Sequence, residues 1–188
     1  MAAKSNGKLF IISGPSGAGK TTLCREALKR FKGITYSISY TTRKPRNGEQ
    51  DGIDYHFITK KEFKRKIESN KWVEWAEVYG NFYGTSAEFL DTCLASGKYI
   101  LLDIDIQGTI QIKKQYPDSV TIFIMPPSLE TLRTRLESRG TDTRQVIEKR
   151  LETAKKEMEE KDFYHHVIIN DQLSKAVSEL IEIIESYR

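Results

Sequence analysis

Four short apolar runs, at residues 9–12, 99–102, 120–125 and 167–169, punctuate a chain whose intervening stretches carry apolar positions at helical spacing. Runs that are apolar on both faces and separated by helices predict the strands of a parallel sheet covered by helices on both sides. The helix boundaries have their own chemistry. Ser86 is placed to cap a helix reaching about residue 96, where Gly97 ends it, and a helix over 107–116 is stopped by Pro117. Ser128 caps a further helix toward 139, and two more are predicted over 143–160 and 173–187. The stretch 34–84 breaks this rhythm. Strand-like pieces at 36–40, 53–58, 72–79 and 82–83 surround one short helix at 60–69, with turn chemistry at Asn47-Gly48, Asp51-Gly52 and Gly80-Asn81. The pattern is that of an α/β core with a small, partly β-sheet insertion. Residues 139–143, polar and glycine-containing between two charged helices, suit a mobile lid.

The first apolar run leads into GPSGAGKTT at residues 14–22, and a helix-compatible stretch follows. The spacing G-x-x-x-x-G-K-[ST] between a strand and a helix forms a phosphate cradle, because Gly14, Gly17 and Gly19 let successive N–H groups turn toward one anion. The following helix adds the positive end of its dipole, Lys20 a mobile charge, and Thr21 a hydroxyl able to ligate magnesium. A nucleoside triphosphate is the expected ligand.

At 188 residues with 38% hydrophobic and 30% charged residues, the chain suits one soluble domain with a real core. Its start has the look of neither a signal peptide nor a membrane span, and cytoplasmic residence is expected. Cys24 and Cys93 lie far apart in helix-like segments, as buried thiols of a reducing compartment do. The three histidines lack metal-ligand spacing. Net charge is +4, but residues 1–50 carry ten Lys or Arg against Glu26 and Glu49, a balance of +8 that leaves −4 for the remainder. Positive charge thus gathers around the cradle, which fits a highly anionic ligand as well as nucleic acid, and part of it is equally a solvated helix face.

Two further segments bear on the chemistry. Around Pro45, Arg43 and Arg46 present guanidinium forks that match phosphate oxygens, and the same residues would serve equally as a basic surface loop. In the strand at 72–79, alternation sends Val73, Trp75 and Glu77 one way and Trp72, Glu74 and Ala76 the other, so that Glu74 lies among apolar neighbours. A carboxylate there needs a donor. Guanine offers one pair, N1–H and its exocyclic amino group, and a lysine such as Lys71 offers another solution.

Taken together, GPSGAGKTT (14–22), YTTRKPRNGE (40–49), DGIDYHF (51–57), WVEWAEVYGNFYGTS (72–86), LLDIDIQG (101–108), RLESRGTDT (135–143) and VIINDQL (167–173) resemble the guanylate kinase family over nearly the whole chain. The resemblance implies a P-loop nucleoside monophosphate kinase fold in a single domain of residues 1–188. Its core would comprise 1–33, 86–134 and 151–188, with a GMP-binding subdomain at about 34–85 and a lid at about 135–150. The implied activity is phosphoryl transfer from ATP to GMP, or dGMP, with Mg²⁺ as cofactor and neither nucleic acid nor membrane as partner. Carried over residue by residue, the resemblance puts the GMP phosphate against Arg43, Arg46, Tyr55 and Tyr83, and guanine against Ser39, Glu74, Thr85 and Asp105. Thr85 stands where the family often carries Ser and keeps the hydroxyl. The ATP cradle would comprise Gly14, Ser16, Gly17, Ala18, Gly19, Lys20, Thr21 and Thr22, with Asn170 near the adenine. Arg135, Arg139 and Arg150 match lid arginines, and Asp103 matches a carboxylate that orders magnesium waters beside Thr21. The alternatives are a catalytically inactive guanylate-kinase-like module that binds phosphopeptides and a nucleic-acid-binding NTPase.

Overall fold

The computed structural model describes residues 7–78, 80–138, 140 and 142–188. In chain order the elements are β1 (Lys8–Ser13), α1 (Lys20–Arg30), β2 (Ile34–Tyr36), β3 (Tyr40–Thr41), β4 (His56–Phe57), α2 (Lys60–Glu68), β5 (Trp72–Val78), β6 (Asn81–Ser86) and α3 (Ala87–Ala95). There follow β7 (Tyr99–Asp103), α4 (Ile106–Gln115), β8 (Val120–Met125), α5 (Leu129–Glu137), α6 (Arg144–Glu159), a 3-10 turn (Glu160–Phe163), β9 (His166–Ile169) and α7 (Leu173–Ser186). A five-stranded parallel sheet runs in the order β2-β7-β1-β8-β9, and a four-stranded sheet in the order β4-β3-β6-β5. All four apolar runs are strands of the first sheet, as their two-sided hydrophobicity requires. The caps form as well, Ser86 accepting from the Phe89 N–H and Ser128 from that of Thr131.

The chain divides into two compact units. One is built from Phe10–Gly33, Asp103–Ile106 and Val120–Arg188. In it β1 pairs in parallel with β8, Phe10 opposite Val120, and β8 with β9, Ile122 opposite His166. Leu132 and Leu136 of α5 pack with Ile147, Leu151 and Ala154 of α6 in a buried cluster. The apolar stripes at i, i+4 on α5 and at i, i+4, i+7 on α6 account for that pairing.

The other unit comprises, among the described residues, 7–9, Ile34–Leu102 and Gln107–Ser119. Here β2 pairs in parallel with β7, Ile34 opposite Tyr99, so residues 34–36 extend the parallel sheet. The strand expected over 36–40 is instead two, because after the Ser37 N–H donates to the Leu101 carbonyl the chain leaves β7, and Tyr40 pairs with Gly84 of β6. The strand expected over 53–58 contracts to His56–Phe57, since the Asp51 carboxylate and the Asp54 carboxylate accept backbone N–H groups of Phe57 and Gln50 and build a turn. β5 and β6 form an antiparallel pair over a core of Phe63, Trp72 and Phe82, in which the Phe63 ring stacks on Trp72 at 4.4 Å and on Phe82 at 5.3 Å. The Trp72 indole N–H donates to the Phe63 carbonyl, so the ring's polar edge is satisfied within the core. Among the described residues no helix is long and apolar enough to cross a membrane.

Candidate active site

The cradle forms where β1 gives way to α1. Gly14 adopts φ 138° with a Cβ position that would lie 2.3 Å from the Ile124 carbonyl oxygen, so only glycine lets the loop leave β1 so close to β8. Gly19, at φ 92°, is the N-cap of α1 and brings no side chain to the helix's first N–H groups, which stay available to an anion. A Cβ there would meet the Asn170 amide nitrogen at 2.5 Å. The Lys20 ammonium folds back onto the loop, donating to the carbonyls of Gly14 (2.6 Å) and Pro15 (3.2 Å). Thr21 and Thr22 are exposed, and the Thr21 hydroxyl donates to Asp103 Oδ2 at 2.8 Å. Burial pushes the Asp103 carboxyl up, while the Lys20 charge and the Thr21 hydrogen bond pull it down.

Around that loop the same unit gathers further residues expected from sequence. Asn170 is buried at the end of β9 and donates from its amide to the Ala18 carbonyl (2.8 Å). Arg135, on the last turn of α5, donates to the Asn170 carbonyl (2.8 Å) and the Ala18 carbonyl (3.4 Å). Arg135 and Asn170 thus brace the cradle from behind. Arg150 on α6 reaches the Ser16 hydroxyl and the Asp142 carboxylate, each at 3.4 Å. Arg139 lies outside the described residues. Asp105 is exposed just past β7, and together with Lys20 its charge acts on Glu157, a carboxyl pushed up mainly by burial. Among the described residues no group of three His, Cys, Asp or Glu side chains could hold a metal ion.

In the other unit a second constellation stands on the four-stranded sheet. The Thr41 hydroxyl donates to the Phe82 carbonyl and the Thr42 hydroxyl accepts from the Phe82 N–H, fastening the start of the Arg43 loop to β6. Arg43 then lies over the Tyr55 ring at 5.5 Å, and the Tyr55 and Tyr83 rings meet edge to face at 6.0 Å. Its guanidinium makes a two-pronged pair with Glu49, 2.9 Å on each side, and also donates to the Lys44 carbonyl. Glu49 additionally accepts the Arg46 backbone N–H at 2.7 Å. The pairing with Glu49 raises the Arg43 pKa, with help from Tyr83, and holds the Glu49 carboxyl below its usual range. The Arg46 backbone stands in this loop and the residue is exposed. Ser39 is half-buried, its carbonyl accepting the His56 N–H.

Glu74 is buried, and its carboxylate accepts the Thr85 hydroxyl proton at 2.6 Å across the β5–β6 pair. The alternation expected along β5 does not hold at its start. The register shifts between Trp72 and Glu74, and the bulge buries Trp72, Val73 and Glu74 in succession. Tyr83 and Thr85 are two residues apart on β6, so the Arg43–Tyr55–Tyr83 cluster and the Glu74–Thr85 pair share one face of the sheet. Three residues were not singled out from sequence: Glu49, whose motif position was visible without its pairing to Arg43, and Gln111 and Gln115 of α4. The Gln115 amide donates to the Val73 carbonyl at 2.8 Å, and Gln111 bonds both the N–H and the carbonyl of Trp75 at 3.4 Å. Only their i, i+4 spacing was legible.

The family model described as guanylate kinase matches residues 6–187. A guanylate kinase of Geobacter metallireducens is 49% identical over 185 residues, 98% of this chain and 91% of that one. One from Neisseria gonorrhoeae is 44% identical over 188 residues, 100% of this chain and 92% of its own. The crystal structure of guanylate kinase from Anaplasma phagocytophilum superposes with a TM-score of 0.80 at 33% identity, covering 97% of this chain and 86% of the other.

Proposed function

Since the chain belongs to the guanylate kinase family, we propose that it transfers the terminal phosphoryl group of ATP to GMP, giving ADP and GDP. The observation that carries this reading is the acceptor constellation, a buried carboxylate–hydroxyl pair (Glu74, Thr85) beside a cation and two phenols (Arg43, Tyr55, Tyr83) on one sheet face. A carboxylate suits the N1–H and amino donors of guanine, whereas adenine presents an acceptor at N1. A planar guanidinium with phenolic hydroxyls suits a phosphate monoester.

The chemistry is one of charge management. ATP and GMP together bring roughly six negative charges, at about −1.5 to −2 for a terminal phosphate monoester near neutral pH. The attacking atom is an ionised phosphate oxygen of GMP, so no general base is needed, and catalysis rests on positioning and on cancelling repulsion. On the donor side, the N–H groups of the loop from Ser16 to Thr22 receive the phosphates of ATP. Lys20 exchanges its two carbonyl partners for phosphate oxygens. Arg135 keeps the loop in shape through Ala18 and Asn170, Asn170 borders the adenine end, and Arg150 and Arg139 close over the transferring group. Arg43, Arg46, Tyr55 and Tyr83 take the GMP phosphate, while Ser39, Glu74, Thr85 and Asp105 read the base.

Thr21 and Asp103 supply hard oxygen donors side by side at the cradle exit, and with the phosphates they suit Mg²⁺, which takes few protein ligands. Thr21 and Asp103 would hold the ion, which would supply positive charge to offset that of the phosphates. The free thiols Cys24 and Cys93, both buried, suit a reducing cytoplasm.

The test is ADP formation from ATP and Mg²⁺ with GMP, dGMP, AMP, CMP or UMP in turn, against a control without acceptor. Turnover confined to guanine acceptors is expected. Turnover without any acceptor, or with no preference among them, would defeat the assignment.

A further inference from the structure

β5 is the terminal strand of its sheet, pairing with β6 on one side. The Val73 carbonyl and the Trp75 N–H and carbonyl all face α4, as their bonds to its side chains show, whereas Glu74 between them stands opposite Thr85 of β6. An edge of this kind presents unpaired N–H and C=O groups. Here α4 supplies the missing partners from its side chains. Gln115 donates to the Val73 carbonyl, and Gln111 meets Trp75 with its carbonyl oxygen toward the N–H and its amino group toward the C=O, which also fixes the orientation of the amide. The two glutamines are one turn apart on α4 and therefore side by side. They stand in for a neighbouring strand over three residues, and the middle residue is Glu74.

We propose that Gln111 and Gln115 are positioning residues for guanine recognition: by clamping the backbone on either side of Glu74 they hold its carboxylate where both guanine donors can reach it. This rests on the reading of Glu74 given above. The strand needs such a clamp because the bulge between Trp72 and Glu74 interrupts its ladder to β6 at the same place. The Thr85 hydroxyl fixes the carboxylate end of the side chain, and the glutamines fix the backbone end. Neither glutamine is required to touch substrate.

Two measurements test this. The first compares kcat/KM for GMP with that for IMP, which keeps N1–H and lacks the exocyclic amino group, so the ratio reports how well Glu74 meets the second donor. A ratio is independent of the fraction of folded enzyme, and a purely structural role would leave it unmoved. Gln115→Met and the double variant Gln111→Met/Gln115→Met are expected to lower the GMP preference, the double by about tenfold, mainly through the KM for GMP and with the KM for ATP unchanged. Gln115→Lys, which keeps a donor for the Val73 carbonyl, should retain most of it. The second measurement is hydrogen exchange of the Trp75 amide in ligand-free protein, expected to speed up at least about tenfold in Gln111→Met. An unchanged GMP-to-IMP ratio in the double variant, or unchanged Trp75 exchange, would overturn the proposal. If the unsubstituted protein shows no GMP-dependent turnover, the functional reading fails and its specificity role with it, whereas the clamp stands or falls by the exchange measurement alone.

Discussion

Glu49 occupies the fork of Arg43, and the pair has a consequence for acid stability. Its carboxyl is held below the ordinary 4.5 first by the Arg43 hydrogen bonds, then by the Arg46 N–H, with burial working against both. A group whose folded pKa is depressed contributes stability that is present above its unfolded value and is lost as pH falls through the folded one. Melting temperatures measured from about pH 6 down to about pH 3 should therefore fall more steeply for the unsubstituted protein than for Glu49→Gln, the two converging at the acid end. Parallel curves would show that the pair adds nothing to the fold. Lys20 gives the complementary case, a side chain that bonds two loop carbonyls and, in the proposed function, exchanges them for phosphate oxygens. Lys20→Met should keep the circular dichroism spectrum and lose about a hundred- to a thousandfold in kcat, a loss on the scale of removing one preorganised donor from a developing charge. Near-normal turnover would take Lys20 out of the mechanism. What a residue touches was only partly legible in the sequence. The cradle glycines could be read because their requirement is local, a turn with positive φ. The Asn170 amide on Ala18, by contrast, spans 152 positions, and spacing along the chain does not contain it.

At the scale of elements, legibility followed the range of the forces involved. The strands at β1, β7, β8 and β9 and the helices capped by Ser86 and Ser128 were readable because two-sided apolar runs and capping hydroxyls are properties of short windows. The bounds of the two-residue strands β3 and β4 were not, since each exists through pairing with distant partners, Tyr40 with Gly84 and His56 with Tyr40. The bulge in β5 was equally hidden, although it decides that Trp72, Val73 and Glu74 are all buried. Gly84 marks how tightly these pieces close. A Cβ there would come within 2.9 Å of the Phe63 ring and 3.1 Å of the Glu74 carbonyl, and the second contact is backbone that cannot rotate away. Gly84→Ala should cost about 1–3 kcal/mol in urea unfolding, as overpacking a dense core does. It should also raise the KM for GMP more than that for ATP, because the displaced strand carries Glu74. A stability loss with equal effects on both KM values would separate the sheet's packing from base recognition.

For the molecule as a whole, the division into two compact units predicts where each ligand leaves its mark. Arg43, Tyr55, Glu74, Tyr83 and Thr85 belong to the unit containing Ile34–Leu102, and the cradle, Asp103, Arg135, Arg150 and Asn170 to the unit containing Phe10–Gly33 and Val120–Arg188. A ligand that binds only the folded form adds about 2.7 kcal/mol at one hundred times its Kd. It slows exchange first in the elements whose opening would release it. GMP alone should then protect amides of β3, β5 and β6, and a non-hydrolysable ATP analogue with Mg²⁺ those of residues 14–24, the C-terminal half of α5 and β9. The charge distribution sharpens the expectation, because the +8 balance of residues 1–50 covers both the cradle and the Arg43 loop. Both protections should weaken as salt is raised from low ionic strength, where the Debye length is about 30 Å at 0.01 M and about 8 Å at 0.15 M. Protection by GMP confined to residues 14–24, with none in β5 or β6, would mean that the nucleotide occupies the triphosphate cradle, and the acceptor assignment of Arg43, Tyr83 and Glu74 would fall with it.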